Sequence, residues 1–282
     1  MNLLKKFLIN TFLFFGFELK VKKKDVKSNN FDSIIKFLLK IGKDKNDDSK
    51  NIFFDVGANI GQSIERFKEI DNNSITHSFE PTPVLYNELV ERYKLKNSKE
   101  LVINNFGLSD TSGELYLNSF KYHKINSFLE IDKNSKFAKS RIMNYRKLYE
   151  NENFKTELNF KDNDTFEDKI KVNVKTIDDY CKTNNIKKIN YMKIDTQGFE
   201  DKVLLGAKNL LKNNRIKLIQ LELIFSEVYE NPLNIYDVEK TLIPNNYKLF
   251  GIANGGSLIS QSKYQSDFIY ISYDTYENFK SI

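Results

Sequence analysis

Asp55 closes the apolar run Ile52-Phe53-Phe54, Glu80 closes Thr76 to Phe79, and Asp195 closes Ile189 to Ile194. Each run has the length and composition of a strand, and each acid is followed by turn residues. After Asp55 come Val56-Gly57-Ala58-Asn59-Ile60-Gly61 and then Gln62 to Ile70, with Ile60, Ile64 and Phe67 at helical spacing. Strand, glycine-bearing turn and helix in that order form a small-molecule site, because such a turn lets backbone N–H groups approach a ligand. The pattern departs from the dinucleotide fingerprint G-x-G-x-x-G, whose first glycine would fall at Asp55. A carboxylate there repels a pyrophosphate and attracts a cation. S-adenosylmethionine, with an ammonium and a sulfonium, is a cation of that kind.

Glu80 follows Asp55 by 25 residues, at the end of the next strand. A carboxylate there accepts both hydroxyls of a ribose and repels the 2′-phosphate of NADP. Strand-end acids also cap the following helix, but three in register favour a shared crevice. In Lys193-Ile194-Asp195-Thr196-Gln197-Gly198-Phe199-Glu200, Asp195 would sit near the reacting centre, beside the sulfonium of the cofactor or the acceptor hydroxyl, and is the first candidate for contact with that hydroxyl. Glu200 opens a helix, where its charge suits the dipole. Glu222 lies within the apolar run Leu218 to Leu223 and must be paired or functional there. Of the two histidines, His77 lies early in a strand and reads as structural. His123 lies in a polar segment that could carry it over an acceptor, and an exposed loop histidine is the alternative. Asp195, Glu200 and Glu222 could hold a divalent cation through oxygen ligands, a reading the sequence does not favour.

The elements that must position these residues alternate. Thr82 suits an N-cap and Pro83 the first position of a helix carrying Leu85, Leu89 and Tyr93. Leu101 to Asn104 reads as a third strand, and Gly113 to Leu117 as part of a small hairpin. Residues 119–170 are polar and highly charged, a candidate lid, binding insertion or mobile loop, with an exposed helix at Arg141 to Tyr149. Strand character returns at Lys171 to Val174, and Thr176 caps a helix that carries Cys181. One helix is expected over Phe199 to Leu211, a strand over Leu218 to Leu223, and a helix from Ile235 that Pro244 stops. Tyr247 to Ile252 and Phe268 to Tyr273 close the sheet as a hairpin around Asn254-Gly255-Gly256. Such alternation predicts an α/β fold with a doubly wound, mostly parallel sheet and ligands at the carboxyl ends of its strands.

With 282 residues, 40% hydrophobic content and a mean hydropathy of −0.52, the chain can hold one α/β domain with additions. A single cysteine forbids an internal disulfide and points to a reducing, cytoplasmic compartment. Of 44 Lys+Arg and 38 Asp+Glu, residues 1–50 hold 12 and 6, so 32 of each remain. The body is formally neutral and carries no basic stripe, which argues against nucleic acid as a partner. The chain divides at this level into an arm, residues 1–50, and a body, residues 51–282. Within the arm, Phe7 to Phe17 is apolar and flanked by lysines, too short to span a bilayer. A helix packed on the body, peripheral contact of residues 1–27 with an anionic membrane at its inner face, and a cleaved export signal all fit it.

Four blocks together resemble the FkbM-type methyltransferase family. They are Asp55-Val56-Gly57-Ala58-Asn59-Ile60-Gly61, Phe79-Glu80-Pro81, Leu108-Ser109-Asp110 with Gly113, and Lys193-Ile194-Asp195-x-x-Gly198-x-Glu200 with Val203-Leu204-x-Gly206-Ala207. Gln197 stands where a glutamate is common in that family. The resemblance spans about residues 50 to 225. It implies a Rossmann-like class I fold of seven strands and an S-adenosylmethionine-dependent O-methyltransferase acting on a hydroxyl of a sugar, glycan or related metabolite. By matched position, Asp55, Gly57, Asn59 and Gly61 would form the methionine-side turn and Glu80 would hold the ribose. Asn104 or Asn105 would face the adenine, and Asp195, Glu222 or His123 would serve catalysis. An NAD-dependent oxidoreductase and a non-catalytic binding protein on an inactive methyltransferase fold are the alternatives.

Overall fold

The computed structural model describes residues 30–43, 48–94, 100–120, 123–151, 166–252 and 265–282. The arm's segment 1–27 and the Asn254-Gly255-Gly256 turn lie outside the described residues. Seven strands form the main sheet: β1 (Ile52–Val56), β2 (Ile75–Phe79), β3 (Leu101–Asn104), β7 (Ile189–Ile194), β8 (Ile216–Ile224), β9 (Lys248–Ile252) and β10 (Gln265–Ile271). Their order is β3-β2-β1-β7-β8-β10-β9. The first five are mutually parallel, and β10 runs antiparallel between β8 and β9.

Adjacent residues of β1 feed opposite faces, as strand alternation requires. Phe54 and Val56 join Phe79, Met192, Ile194, Ile219 and Leu221 under helices α5 (Ile177–Thr183), α6 (Glu200–Leu205), α7 (Lys208–Lys212) and α8 (Ile235–Leu242). Phe53 joins Tyr191, Leu218, Ile269 and Phe67 under α1 (Asn30–Gly42) and α2 (Gln62–Ile70). The order of strands reverses between β1 and β7, both buried on two faces, and a crevice opens at their carboxyl ends.

Several boundaries differ from expectation. The helix expected over Phe199 to Leu211 is two helices, broken at Gly206-Ala207. A Cβ on Gly206 would stand 2.0 Å from the Ser109 carbonyl, and the Gly206 carbonyl accepts from Asp178 N–H, so this contact interrupts the helix. Residues expected at the edges of a polar insertion are strand. β5 (Gly113–Phe120) pairs antiparallel with β6 (Phe166–Lys175), and β4 (Gly107–Leu108) adds a third strand. Between β5 and β6, the helix expected to be exposed at Arg141 spans Lys136–Asn151 (α4) and has a buried face. Ala138 and Arg141 are buried, and Phe120, Ile125, Ile131 and Ala138 pack with Ile224, Val228 and Tyr229 just after β8. The segment is thus seated on the carboxyl end of the sheet. Tyr273, expected to end a strand, starts α9 (Tyr273–Lys280), because the Ser272 hydroxyl caps it.

Candidate active site

The carboxyl ends of β1, β2, β7 and β8 surround a cavity of about 230 Å³. Val56 to Asn59, Glu80 to Thr82, Lys193, Asp195, Gln197 and Glu222 line it from the sheet, and His123, Lys124, Asn126, Phe128 and Tyr145 from the inserted segment.

The β1–α2 turn is tight for a reason internal to the chain. Gly57 has φ 87, and a Cβ there would stand 2.0 Å from the Asp195 carbonyl. No side chain fits between the ends of β1 and β7. Every N–H of the turn already has an acceptor. Gly57 and Ala58 donate to the Phe79 carbonyl, Asn59 to Glu80 Oε2, Ile60 to Asn59 Oδ1, and Gly61 to the Ala58 carbonyl. The N–H groups of Gly57, Ala58 and Asn59 tie the turn to the end of β2, and those of Ile60 and Gly61 close on the turn itself. Asn59, at φ 49, also donates its side-chain amide to the His123 carbonyl at 3.2 Å and ties the inserted segment to the turn. Gly61 is buried against Leu89 and Tyr93 and does not line the cavity.

Asp55 is fully buried beneath the turn, and among the described residues neither carboxylate oxygen has a well-formed hydrogen bond. It stands in register with Lys193 and outside the cavity lining. Burial lifts its pKa to about 6, against the pull of the Lys193 ammonium and the nearby Ser63 hydroxyl. Glu80 lines the cavity. Its Oε2 accepts from Asn59 N–H and its Oε1 from Thr82 N–H, each at 2.8 Å. Burial raises its pKa, and the Thr82 hydroxyl together with those two bonds restrains the rise. Glu80 thus lies in the crevice and fastens the turn before the helix that starts at Pro83. Neither Asn104 nor Asn105 lines the cavity. Asn104 donates to the Ser78 carbonyl, and the Asn105 amide reaches the Glu80 and Pro81 carbonyls. The wall beyond β3 is instead formed by Gly107, Leu108, Leu117 and Phe128.

On β7, Lys193 and Asp195 share a face at i, i+2 and pair at 2.9 Å. Burial opposes the Lys193 charge, but Asp195 and Asp55 outweigh it and raise its pKa. Burial likewise pushes against the Asp195 charge, and Lys193 with the Gln197 amide holds its carboxyl below the usual range. Gln197 donates its amide nitrogen to Asp195 Oδ1 at 2.8 Å and to Glu222 Oε2 at 3.1 Å. Burial, then the Asp195 charge, push the Glu222 pKa well up. Glu200 does not line the cavity: it is fully buried and accepts from Thr196 N–H, Thr196 Oγ1 and Gly198 N–H, fastening the loop after β7. Its pKa rises to about 7 through burial.

His123 is a buried cavity wall rather than an exposed loop residue, and burial holds its pKa at about 4. It is neutral at pH 7 and a weak base. His77 packs beneath the sheet with Nδ1 2.8 Å from the Tyr180 hydroxyl. Among the described residues no cluster of His, Cys, Asp and Glu side chains is arranged to hold a metal ion. Lys193 and Arg141 are site residues that local sequence pattern does not assign. A lysine and an acid at i, i+2 in a strand buried on both faces was the available signal for Lys193.

The doubly wound seven-stranded sheet, with its antiparallel strand next to the edge and its crevice at the β1–β7 switch, has the Rossmann-like class I methyltransferase architecture. The methyltransferase FkbM domain matches residues 55–249, and the chain belongs to that family. Solved structures of similar fold include magnesium protoporphyrin IX methyltransferase from Synechocystis with bound SAM. It shows 10% identity and a TM-score of 0.42, over 95% of this chain and 96% of that one. An S-adenosylmethionine-dependent methyltransferase from Clostridium acetobutylicum shows 9% identity and a TM-score of 0.40, over 96% and 99%. No curated protein matches the sequence.

Proposed function

We propose that the chain is an S-adenosylmethionine-dependent O-methyltransferase acting on a hydroxyl of a sugar, glycan or related metabolite. The observation that carries the cofactor reading is Glu80. Two backbone N–H groups and the Thr82 hydroxyl fix its carboxylate at the cavity, and these three bonds leave it lone-pair capacity for a ribose hydroxyl. Asp195 and Glu222 add acidic lining that suits an ammonium and a sulfonium. The turn after β1 has no spare N–H for a pyrophosphate, which weighs against an NAD-dependent oxidoreductase.

When bound, the cofactor supplies an electrophilic methyl on sulfur. Glu80 would hold its ribose, and the wall of Leu108, Leu117 and Phe128 would receive the base. Asp195 and Glu222 reach the far end of the cavity, where they would orient the acceptor hydroxyl and take its proton. His123 is unsuited to that role, because burial keeps it from binding a proton at neutral pH. Incubation with methyl-labelled cofactor and a panel of glycans and small polyols tests the acceptor class. Label in a base-stable ether is expected; label only in base-labile esters or in amines would overturn it. The arm, residues 1–27, is proposed to contact anionic membrane, and liposome flotation that is unchanged by its deletion would remove that part.

A further inference from the structure

Arg141, on helix α4 of the inserted segment, is 5% exposed and sits above the two acids. Its Nη2 donates to Gln197 Oε1 at 2.7 Å and its Nη1 to Gln265 Oε1 at 2.8 Å. The Tyr229 hydroxyl adds a 3.4 Å bond to the same Gln197 oxygen. With both amide oxygens turned to the guanidinium, both amide nitrogens turn to the acids. Gln197 Nε2 bridges Asp195 Oδ1 and Glu222 Oε2, and Gln265 Nε2 donates to Glu222 Oε1 at 3.0 Å. The contacts close a ring: Arg141, Gln197, Glu222, Gln265, Arg141. Flipping either amide would set its NH2 against the guanidinium and its oxygen against a carboxylate, so the ring has one polarity.

We propose that Arg141 is a positioning residue which, through Gln197 and Gln265, holds the Glu222 carboxylate beside Asp195 as the proton acceptor for the substrate hydroxyl. This rests on the hydroxyl-methylation reading. As the acceptor oxygen takes the methyl group, a C–O bond replaces the C–S bond, whose electron pair stays on sulfur, and the hydroxyl proton passes to ionised Glu222. An arginine bonded directly to Glu222 would lower its pKa by about one to three units and blunt it as a base. Two interposed neutral amides fix the carboxylate and lower its basicity less than a direct ion pair would. The groups facing Glu222 are Asp195 and Lys193 from β7, Asp267 from β10, and Arg141 and Tyr145 from α4. Among them the acids and burial prevail, and Glu222 titrates high. The pair exchanges protons as a unit.

The test needs neither acceptor nor cofactor. The full chain, labelled with 13C at glutamate carboxyls, is titrated by NMR, and the Glu222 signal is assigned by its loss in Glu222→Gln. The wild-type midpoint should lie well above the ordinary glutamate range. Arg141→Met should move it up by about one unit, because the amides lose their anchor. In a Gln197→Met/Gln265→Met background the same change should move it by less than about a third of that. Equal shifts in the two backgrounds would mean that Arg141 acts as a bare charge, and would overturn the proposal. So would a wild-type midpoint in the ordinary range. If Arg141→Met does not fold, Arg141→Lys, with a compact ammonium in place of the fork, should give a smaller upward shift that again disappears in the double-methionine background. A separate titration with S-adenosylmethionine reports on the cofactor reading, so the two can fail independently.

Discussion

Replacing Asp55 by asparagine should stabilise the folded chain at neutral pH and lose that effect in acid. Asp55 is fully buried, its oxygens have no well-formed hydrogen bond among the described residues, and burial lifts its pKa from 3.8 to about 6. Between those values the folded chain keeps a proton that the unfolded chain has released, so rising pH removes stability across that window. The difference of roughly two units corresponds to about 3 kcal/mol at pH 7.5. Lys193 loses one of its three nearby carboxylates in the variant, keeping Asp195 and Glu222, which returns part of this, and a net gain of about 1–2 kcal/mol is expected. Urea unfolding of both proteins at pH 7.5, 6, 5 and 4 measures the difference directly. The gain should shrink from pH 6 downward and vanish near pH 4. Glu200 produces a similar slope in both proteins and cancels in the comparison. A variant that is less stable at pH 7.5, or a gain that does not change with pH, would refute the reasoning.

Gly57→Ala should cost more than about 2 kcal/mol, since the methyl would meet the Asp195 carbonyl at 2.0 Å in a backbone conformation that L-residues avoid; thermal melts of the variant check it. Glu80→Gln should weaken S-adenosylmethionine binding by about tenfold or more, the loss of a charged hydrogen bond to ribose, whereas Asp55→Asn should weaken it less because Asp55 does not line the cavity. Cys181, buried in α5 with its thiol pushed up to about 12, should resist iodoacetamide in the native chain at pH 8 and react on unfolding.

The acids that end strands were legible in the sequence because strand length and alternation fix where the carboxyl ends fall. Asp55, Glu80 and Asp195 therefore came out near one crevice. What each carboxylate does was less legible. The N–H groups of Gly57, Ala58 and Asn59 are satisfied by Phe79 and Glu80, contacts between residues some twenty positions apart that no local pattern encodes. Asn104 is drawn into a hydrogen bond by the same long-range pairing, whereas Glu200 folds back on its own loop at Thr196 and Gly198. The inserted segment was the least legible. Its polar composition reads as solvated, yet Ile125, Ile131 and Ala138 suffice for a small core against Tyr229, and that core delivers Arg141 to Gln197. A buried arginine on an otherwise charged helix has no periodic signature.

Calorimetric titration of the full-length chain with S-adenosylmethionine, and separately with NAD, tests the central claim most directly. The arrangement of Glu80 and the closed turn after β1 predicts saturable one-to-one heat from S-adenosylmethionine, reduced in Glu80→Gln, and none from NAD. Heat from NAD with none from S-adenosylmethionine would contradict it.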